Sequence, residues 1–181
     1  RVIKDFLPKC FFNSLLTLVE HESFKWEWHN NTIVNPVSKT GDDNFKFGTT
    51  IYQDGNLAGG FVKLPSFETF RPIADFQNKI VPLKKLIKLK LNLYPNQGKQ
   101  VKHGKHTDVA FHGGKPDLNV ITSVFNFHTC NGYTVIEDDK KEQIVPSVAN
   151  QIVIFDNALH FGVTQSDIPR RIVLNINVLK K

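Results

Sequence analysis

The sequence predicts a mostly β chain with helices confined to its N-terminal part, an α+β arrangement whose later strands wind into a double-stranded β-helix, or jelly roll. Three observations predict it. Apolar residues recur at helical spacing in only two segments, both before residue 84. From Leu86 onward, short alternating runs follow one another with turn residues between them. No internal repeat or low-complexity segment interrupts them, and many short strands behind a helical N-terminal part indicate a jelly-roll-type barrel.

Taken in order, the first helix is expected to start at Pro8, whose fixed φ suits a helix start, and to run to about Glu22. It would bury Phe11, Leu15, Leu18 and Val19. Trp26 and Trp28 follow and are expected beneath the sheet. Phe45, Phe47, Thr49 and Ile51 alternate with Lys46, Gly48, Thr50 and Tyr52, a half-buried strand that ends at Asp54-Gly55. Phe70, Ile73, Ala74, Phe76 and Ile80 give a second helical stripe, with Pro72 in its first turn and Pro82 limiting its end. Strands are then expected near 87–94, 106–111, 119–127, 133–137, 142–146, 151–155, 160–164 and 171–178. The turns between them include Pro95–Gly98, Gly113–Pro116, Asn131-Gly132 and Asp138-Asp139. The chain reads as one domain, with 1–83 as helical and irregular support and 84–181 as the jelly-roll core.

Two strands carry an informative alternation. In 88–94, Leu89, Leu91 and Leu93 share one face, and Lys88, Lys90, Asn92 and Tyr94 the other. In 171–178, Ile172, Leu174, Ile176 and Val178 oppose Arg171, Val173, Asn175 and Asn177. Asparagine is a poor strand former, so three of them on two such faces predict a polar barrel interior. The apolar faces would then pack outward against the helices.

Composition sets limits. With 181 residues, 22% charged and 40% hydrophobic, the chain is long enough for a well-buried core and is not of disordered type. Two cysteines, Cys10 and Cys130, make no disulfide framework, and with no visible secretory segment a cytoplasmic setting is expected. No apolar run reaches the roughly 18 residues needed to span a bilayer, so no membrane role is expected. The formal charge is +6. Much of it sits in 84–90 and 99–105, where a solvated basic face is the expectation, since no nucleic-acid motif accompanies it.

The residues that carry chemistry are His106-Thr107-Asp108, then His160, then Arg171. In a strand, residues two apart point the same way, so His106 and Asp108 converge. With His160 from a distant strand they form two imidazoles and one carboxylate on one face of a divalent metal, the donor set that suits Fe(II) with open positions. Arg171 opens an alternating strand and offers a planar fork for a dicarboxylate. His103, His112, His128, His21 and His29 are expected to be solvated, and Cys130, without a histidine at nucleophile spacing, to be structural.

Together these segments resemble the 2-oxoglutarate- and Fe(II)-dependent oxygenases, most closely the prolyl 4-hydroxylase-like branch and its small phage and marine microbial versions. The resemblance covers about residues 84–179. It rests on Asn92-Leu93-Tyr94-Pro95, His106-Thr107-Asp108, Asn131-Gly132-Tyr133-Thr134, Val153-Ile154-Phe155-Asp156, His160-Phe161-Gly162 and Arg171-Ile172-Val173-Leu174-Asn175. It implies His106, Asp108 and His160 as iron ligands and Arg171, not Arg170, as the residue that binds 2-oxoglutarate. Tyr94 and Asn126 take positions where relatives place cosubstrate-binding tyrosines. The animal and plant enzymes usually carry Gly-Gly-Glu where this chain has Asn131-Gly132-Tyr133.

The implied cofactors are Fe(II), 2-oxoglutarate as cosubstrate and O₂, with ascorbate as reductant. The implied reaction hydroxylates an unactivated C–H, in a proline of a peptide or protein. Loops 37–44 and 113–119 are placed to fold over such a peptide. Two other readings remain open: a nucleic-acid demethylase using the same chemistry, and a non-catalytic jelly-roll binding module. The first usually carries a second Arg on the Arg171 strand, where this chain has Asn175 and Asn177, and nucleic acid is not an expected partner. The second has no need of a dicarboxylate clamp.

Overall fold

A computed structural model describes residues 1–31, 45–58, 60–109, 119–138 and 141–181. In chain order the elements begin with β1 (Val2–Ile3), α1 (Lys9–Glu20), β2 (Glu27–His29), β3 (Lys46–Gln53), α2 (Gly55–Ala58), β4 (Val62–Lys63) and α3 (Phe67–Asn78). There follow β5 (Leu83–Pro95), β6 (Val120–Asn126), β7 (Cys130–Asp138), β8 (Lys141–Ser147), β9 (Gln151–Asp156), β10 (His160–Val163) and β11 (Arg170–Lys180). The major sheet has eight strands in the order β1-β9-β6-β11-β5-β3-β2, with β4 paired to β3, and the minor sheet is β10-β7-β8. This is the antiparallel jelly roll that the strand pattern predicts, with strands β1 to β4 joining the major sheet from the first 83 residues.

The apolar faces pack outward. Leu89 and Leu91 of β5 and Ile172, Leu174, Ile176 and Val178 of β11 lie in one core cluster with Phe12, Leu15 and Val19 of α1 and Phe67, Phe70 and Ile73 of α3. Between the sheets the apolar filling is small: Val124, Ile136, Val145, Val153 and Val173 form a separate cluster. Short side chains there leave room for polar groups and for cavities.

Several elements differ from the expectation. Helix α1 starts after Pro8 and ends at Glu20, and buries Phe12 in place of Phe11, while Leu18 is 36% exposed. The stripe is rotated by about one residue because packing against Phe125 and Phe127 holds the Phe12 ring inward. Trp28 is 55% exposed and stacks on Phe45, since β2 is an edge strand whose face at that position has no layer above it. Helix α3 begins at Phe67, so Pro72 lies inside it, leaving the Glu68 carbonyl without its helical donor. Asn131-Gly132 is not a turn but lies within β7 at a register shift between Cys130 and Tyr133. His106 makes a single bridge to His160 in place of a strand, and residues 110–111 of the strand expected at 106–111 lie outside the described residues. So do the 37–44 loop, most of the 113–119 loop, His112 and Asp139. Among the described residues no helix is long and apolar enough to cross a membrane.

Candidate functional site

The strand pairings bring the sequence-distant residues together. His106 and His160 each donate their backbone N–H to the other's carbonyl, at 3.0 and 2.9 Å. The bridge sets the two imidazoles side by side, with ring centroids 4.4 Å apart. Asp108 turns back toward them, its Oδ1 3.5 Å from His106 Nε2 and 3.6 Å from His160 Nε2. One donor atom from each of the three residues lies within 4.8 Å of the other two.

Each donor is oriented by a hydrogen bond behind it. His160 Nδ1 donates to the Ala158 carbonyl at 3.0 Å and His106 Nδ1 to that of Gly104 at 3.3 Å. Carbonyls only accept, so both rings turn Nε2 to the centre. Asp108 Oδ2 accepts from Asn177 Nδ2 at 2.9 Å, which leaves Oδ1 facing the imidazoles. His160 Nε2 is buried with no hydrogen-bond partner. Burial would raise the Asp108 carboxyl, but the His160 and His106 imidazoles outweigh it and hold it well below the usual carboxylate range. Burial lowers the His160 imidazole, and the facing Asp108 and the Ala158 carbonyl overcome this and raise it. The cluster therefore draws in a cation. A proton fills that need weakly, and a divalent metal with a taste for two imidazoles and a carboxylate fits the donor set.

Arg171 lies in β11 facing inward, 2% exposed, while its neighbour Arg170 is exposed and pairs with Glu20 at 3.2 Å. Adjacent strand residues face opposite ways, and that decides between them. The Arg171 guanidinium donates to the Tyr133 and Val163 carbonyls at 3.3 and 3.1 Å. It also donates to Ser147 Oγ, Asn126 Oδ1 and Thr134 Oγ1, each at 3.3 Å. All these acceptors are neutral. Among the described residues no carboxylate pairs with Arg171, so a buried positive charge is fixed in place without its counter-ion. Gly132 makes this possible: a Cβ there would sit 3.2 Å from Arg171 Cδ and 3.0 Å from the Val163 carbonyl.

A narrow cavity runs from Arg171 to the His106–His160 pair, walled by Tyr94, His103, Thr134 and Val173. Tyr94 is on that wall. Asn126 is not; it stands behind Arg171 and, accepting from both Ser147 Oγ at 2.9 Å and the guanidinium, braces it. His103 corrects an expectation. It is 5% exposed, its ring 4.9 Å from that of Tyr94 and its Nε2 buried without a partner. Burial chiefly, then the charges of Lys46 and Arg171, push its pKa down to about 3, so it is a neutral imidazole on the cavity wall. The segment 101–105 reads as a basic loop, but Val101 and His103 pair with Thr164 and Gly162. No local pattern signals that pairing. His128 is also mostly buried, its Nδ1 accepting the Ile172 N–H at 3.2 Å and its Nε2 3.0 Å from Glu20.

A second cavity of about 170 Å³ opens on the other side of the triad, lined by His29, Lys88, Lys90, Asn92, Asn175 and Asn177 among others. The expected solvated basic face is thus divided: Lys84 and Lys85 are exposed, whereas Lys88 and Lys90 are half-buried and point inward. A larger cleft of about 480 Å³ lies by Val81, Phe155 and Lys180, and none of the three triad residues lines it.

No protein-family model matches the sequence, and no curated protein sequence matches it. Solved structures do match in fold. A 2OG-Fe(II) oxygenase family oxidoreductase from Burkholderia pseudomallei superposes with TM-score 0.71 at 11% identity, covering 99% of this chain and 85% of that one. A prolyl hydroxylase from Trichoplax adhaerens, in complex with a hypoxia inducible factor peptide fragment, gives 0.63 at 12% identity over 99% and 83%. The structure of OsALKBH1 gives 0.60 at 10% identity over 97% and 96%. The chain has the fold of the 2-oxoglutarate- and Fe(II)-dependent oxygenases.

Proposed function

We propose that the protein is an Fe(II)- and 2-oxoglutarate-dependent dioxygenase that hydroxylates an unactivated C–H bond, most favourably in a peptidyl proline. The observation that carries this reading is the junction of the His106–Asp108–His160 donor set with a cavity ending at Arg171, a buried cation that lacks a carboxylate partner among the described residues. A metal-binding module without cosubstrate has no use for that second feature.

In this reading His106 Nε2, His160 Nε2 and Asp108 would hold the iron, and Asn177, Gly104 and Ala158 keep those side chains in line. When bound, the metal with 2-oxoglutarate and O₂ supplies the oxidising power for C–H hydroxylation, with succinate and CO₂ as co-products. Arg171 grips the far carboxylate, its fork held flat by Asn126, Ser147 and Thr134. His103 and Tyr94 close the cavity against water on one side and Val173 on the other. Ascorbate would be the reductant in this reading. Peptidyl proline as substrate is supported by the peptide-bound prolyl hydroxylase among the proteins of like fold. The free thiols of Cys10 and Cys130 suit a cytoplasmic setting.

The test is incubation with Fe(II), ascorbate and 2-oxoglutarate, with and without a panel of proline-containing peptides, reading succinate and peptide mass. The expected result is peptide-stimulated succinate and an added oxygen on proline, both lost in His106→Ala while the fold is retained. Demethylation of methylated oligonucleotides without any peptide product overturns the proline reading. Failure of the protein to bind Fe(II) and 2-oxoglutarate overturns the oxygenase reading.

A further inference from the structure

The cavity on the far side of the triad has a composition unlike a proline pocket. The inward rows of the paired strands β5 and β11 run Tyr94–Arg171, Asn92–Val173, Lys90–Asn175 and Lys88–Asn177. Four positions separate Arg171 from Asn175, about 13 Å of strand. Asp108 is tied to Asn177, so the two lysine rows flank the metal donors while Arg171 lies at the remote end. Lys88 and Lys90 thus belong to the side on which a substrate approaches, not to the cosubstrate cavity.

None of the ion pairs formed among the described residues includes either lysine. Lys90 is half-buried, and burial first, then Lys88, lowers its ammonium pKa, with Glu27 and Asp108 pulling the other way. The surrounding polar atoms also lack partners: Asn92, 2% exposed, has an unbonded buried Oδ1, and His29 Nε2 is buried and unbonded. His29 and Lys90 come this close because position 48 is glycine; a Cβ there would lie 3.0 Å from His29 Nε2 and 3.2 Å from Lys90 Cε. Two half-buried ammonium groups held side by side in a polar chamber cost free energy that a bound anion recovers. The metal and its cosubstrate do not supply that anion. The two charges of Fe(II) and the one of Arg171 are matched by Asp108 and the two carboxylates of 2-oxoglutarate, so the lysines remain in excess.

We infer that the chamber of Lys88, Lys90, His29 and Asn92 receives a carboxylate side chain of the substrate, an aspartate or glutamate beside the hydroxylated residue, and that the protein selects acidic peptides. This rests on the reading of the site as a peptide-hydroxylating oxygenase. A peptide is favoured over nucleic acid because, among the described residues, no phenylalanine, tyrosine or tryptophan lines the chamber, and nucleobases are held chiefly by stacking on such broad rings. Trp28, next to His29, lies on the opposite face of β2 and stacks on Phe45 at 4.6 Å.

The experiment uses the full chain loaded with Mn(II) and 2-oxoglutarate, titrated with three peptide pools in which the residues flanking a central proline are glutamate, glutamine or lysine, and with a single-stranded oligonucleotide. Calorimetry reads binding, and succinate formation with Fe(II) is read in parallel. The glutamate pool is expected to bind about tenfold or more tighter than the glutamine pool, the worth of one charge-assisted contact. Lys90→Gln and Lys88→Gln, and more fully the double variant, should erase that preference and leave 2-oxoglutarate affinity unchanged. Lys90→Glu should reverse it toward the lysine pool. Equal binding of the pools, no binding of any, a preference that survives in the double variant, or tighter binding of the oligonucleotide overturns the inference. So does a loss of 2-oxoglutarate affinity in Lys90→Gln, which would make Lys90 part of the cosubstrate grip. Glutamate pools lacking proline that bind equally well leave the chamber assignment standing and remove proline as the target, so the two readings fail separately.

Discussion

The two faces of strand β11 are both largely buried and differ in chemistry: the outer is all apolar, while the inner carries Arg171, a partly exposed Asn175 and Asn177 beside Val173. Ile172, Leu174, Ile176 and Val178 on the outer face are each 0% exposed, and on the inner face Arg171 is 2% and Asn177 1% exposed. The outer face meets the helices and gains from every methylene removed from water. The inner face gives that gain up, since each buried amide or guanidinium must find partners to break even. It keeps the groups that orient the metal donors and hold a counter-ion site. Burial by itself therefore does not distinguish what stabilises this protein from what it uses.

The comparison can be broken first from the outer side. Leu174→Ala should cost about 4 kcal/mol of stability, by lost transfer energy and a cavity between sheet and helices. Denaturant unfolding measures this, and the metal affinity of the folded fraction should not change. On the inner side the largest expected effect belongs to Arg171. Arg171→Ala should weaken 2-oxoglutarate binding by about 3 kcal/mol, two orders of magnitude in Kd, and Arg171→Lys should also impair it because the fork is lost. The exposed Arg170→Ala should change it by less than about 1 kcal/mol. Calorimetry on the Mn(II)-loaded protein separates the two, and equal losses would deny the facing rule that distinguishes them.

His103 sharpens the contrast through pH. It is held neutral in the fold at a pKa of about 3 against 6.5 unfolded. Below pH 6.5 the unfolded chain takes up a proton that the folded one refuses. Its contribution to stability is thus present above 6.5 and lost as pH falls toward 3, about 2 kcal/mol between pH 7 and pH 5. Unfolding curves at those two pH values should show His103→Gln losing less than the parent. A smaller effect is expected at Asn177. Asn177→Ala removes the donor behind Asp108 and should lower metal affinity about tenfold with little change in stability. An unchanged affinity would mean that Asp108 needs no support.

Much of this was legible in sequence because it rests on period. A strand alternates strictly, so the outer and inner faces of β5 and β11 could be assigned residue by residue, and only one of Arg170 and Arg171 could face inward; the resemblance favoured Arg171. His106-Thr107-Asp108 was legible for the same reason, although the actual backbone there is a single bridge and not a strand. Helix phase was less secure. Phe11 and Phe12 fit nearly the same stripe, and contact with Phe125 and Phe127 decided for Phe12. Asn131-Gly132 has the composition of a turn, yet the glycine serves to let Arg171 pass, a demand set by residues 31 to 39 positions away.

By itself, the sequence determined the class of fold, which follows from local periodicity, and it singled out His106, Asp108, His160 and Arg171 by their residue chemistry and order along the chain. Only the tertiary structure decided that His103 is a buried wall of the cavity that ends at Arg171, that Asn126 braces Arg171, and that Lys88 and Lys90 enclose a chamber beside the triad. The physical reason is desolvation. A histidine or lysine looks the same in sequence whether water or protein surrounds it, and what surrounds these residues comes from strands far away in the chain: β10 at Gly162, β3 at Gly48 and β11 at Asn175 and Asn177.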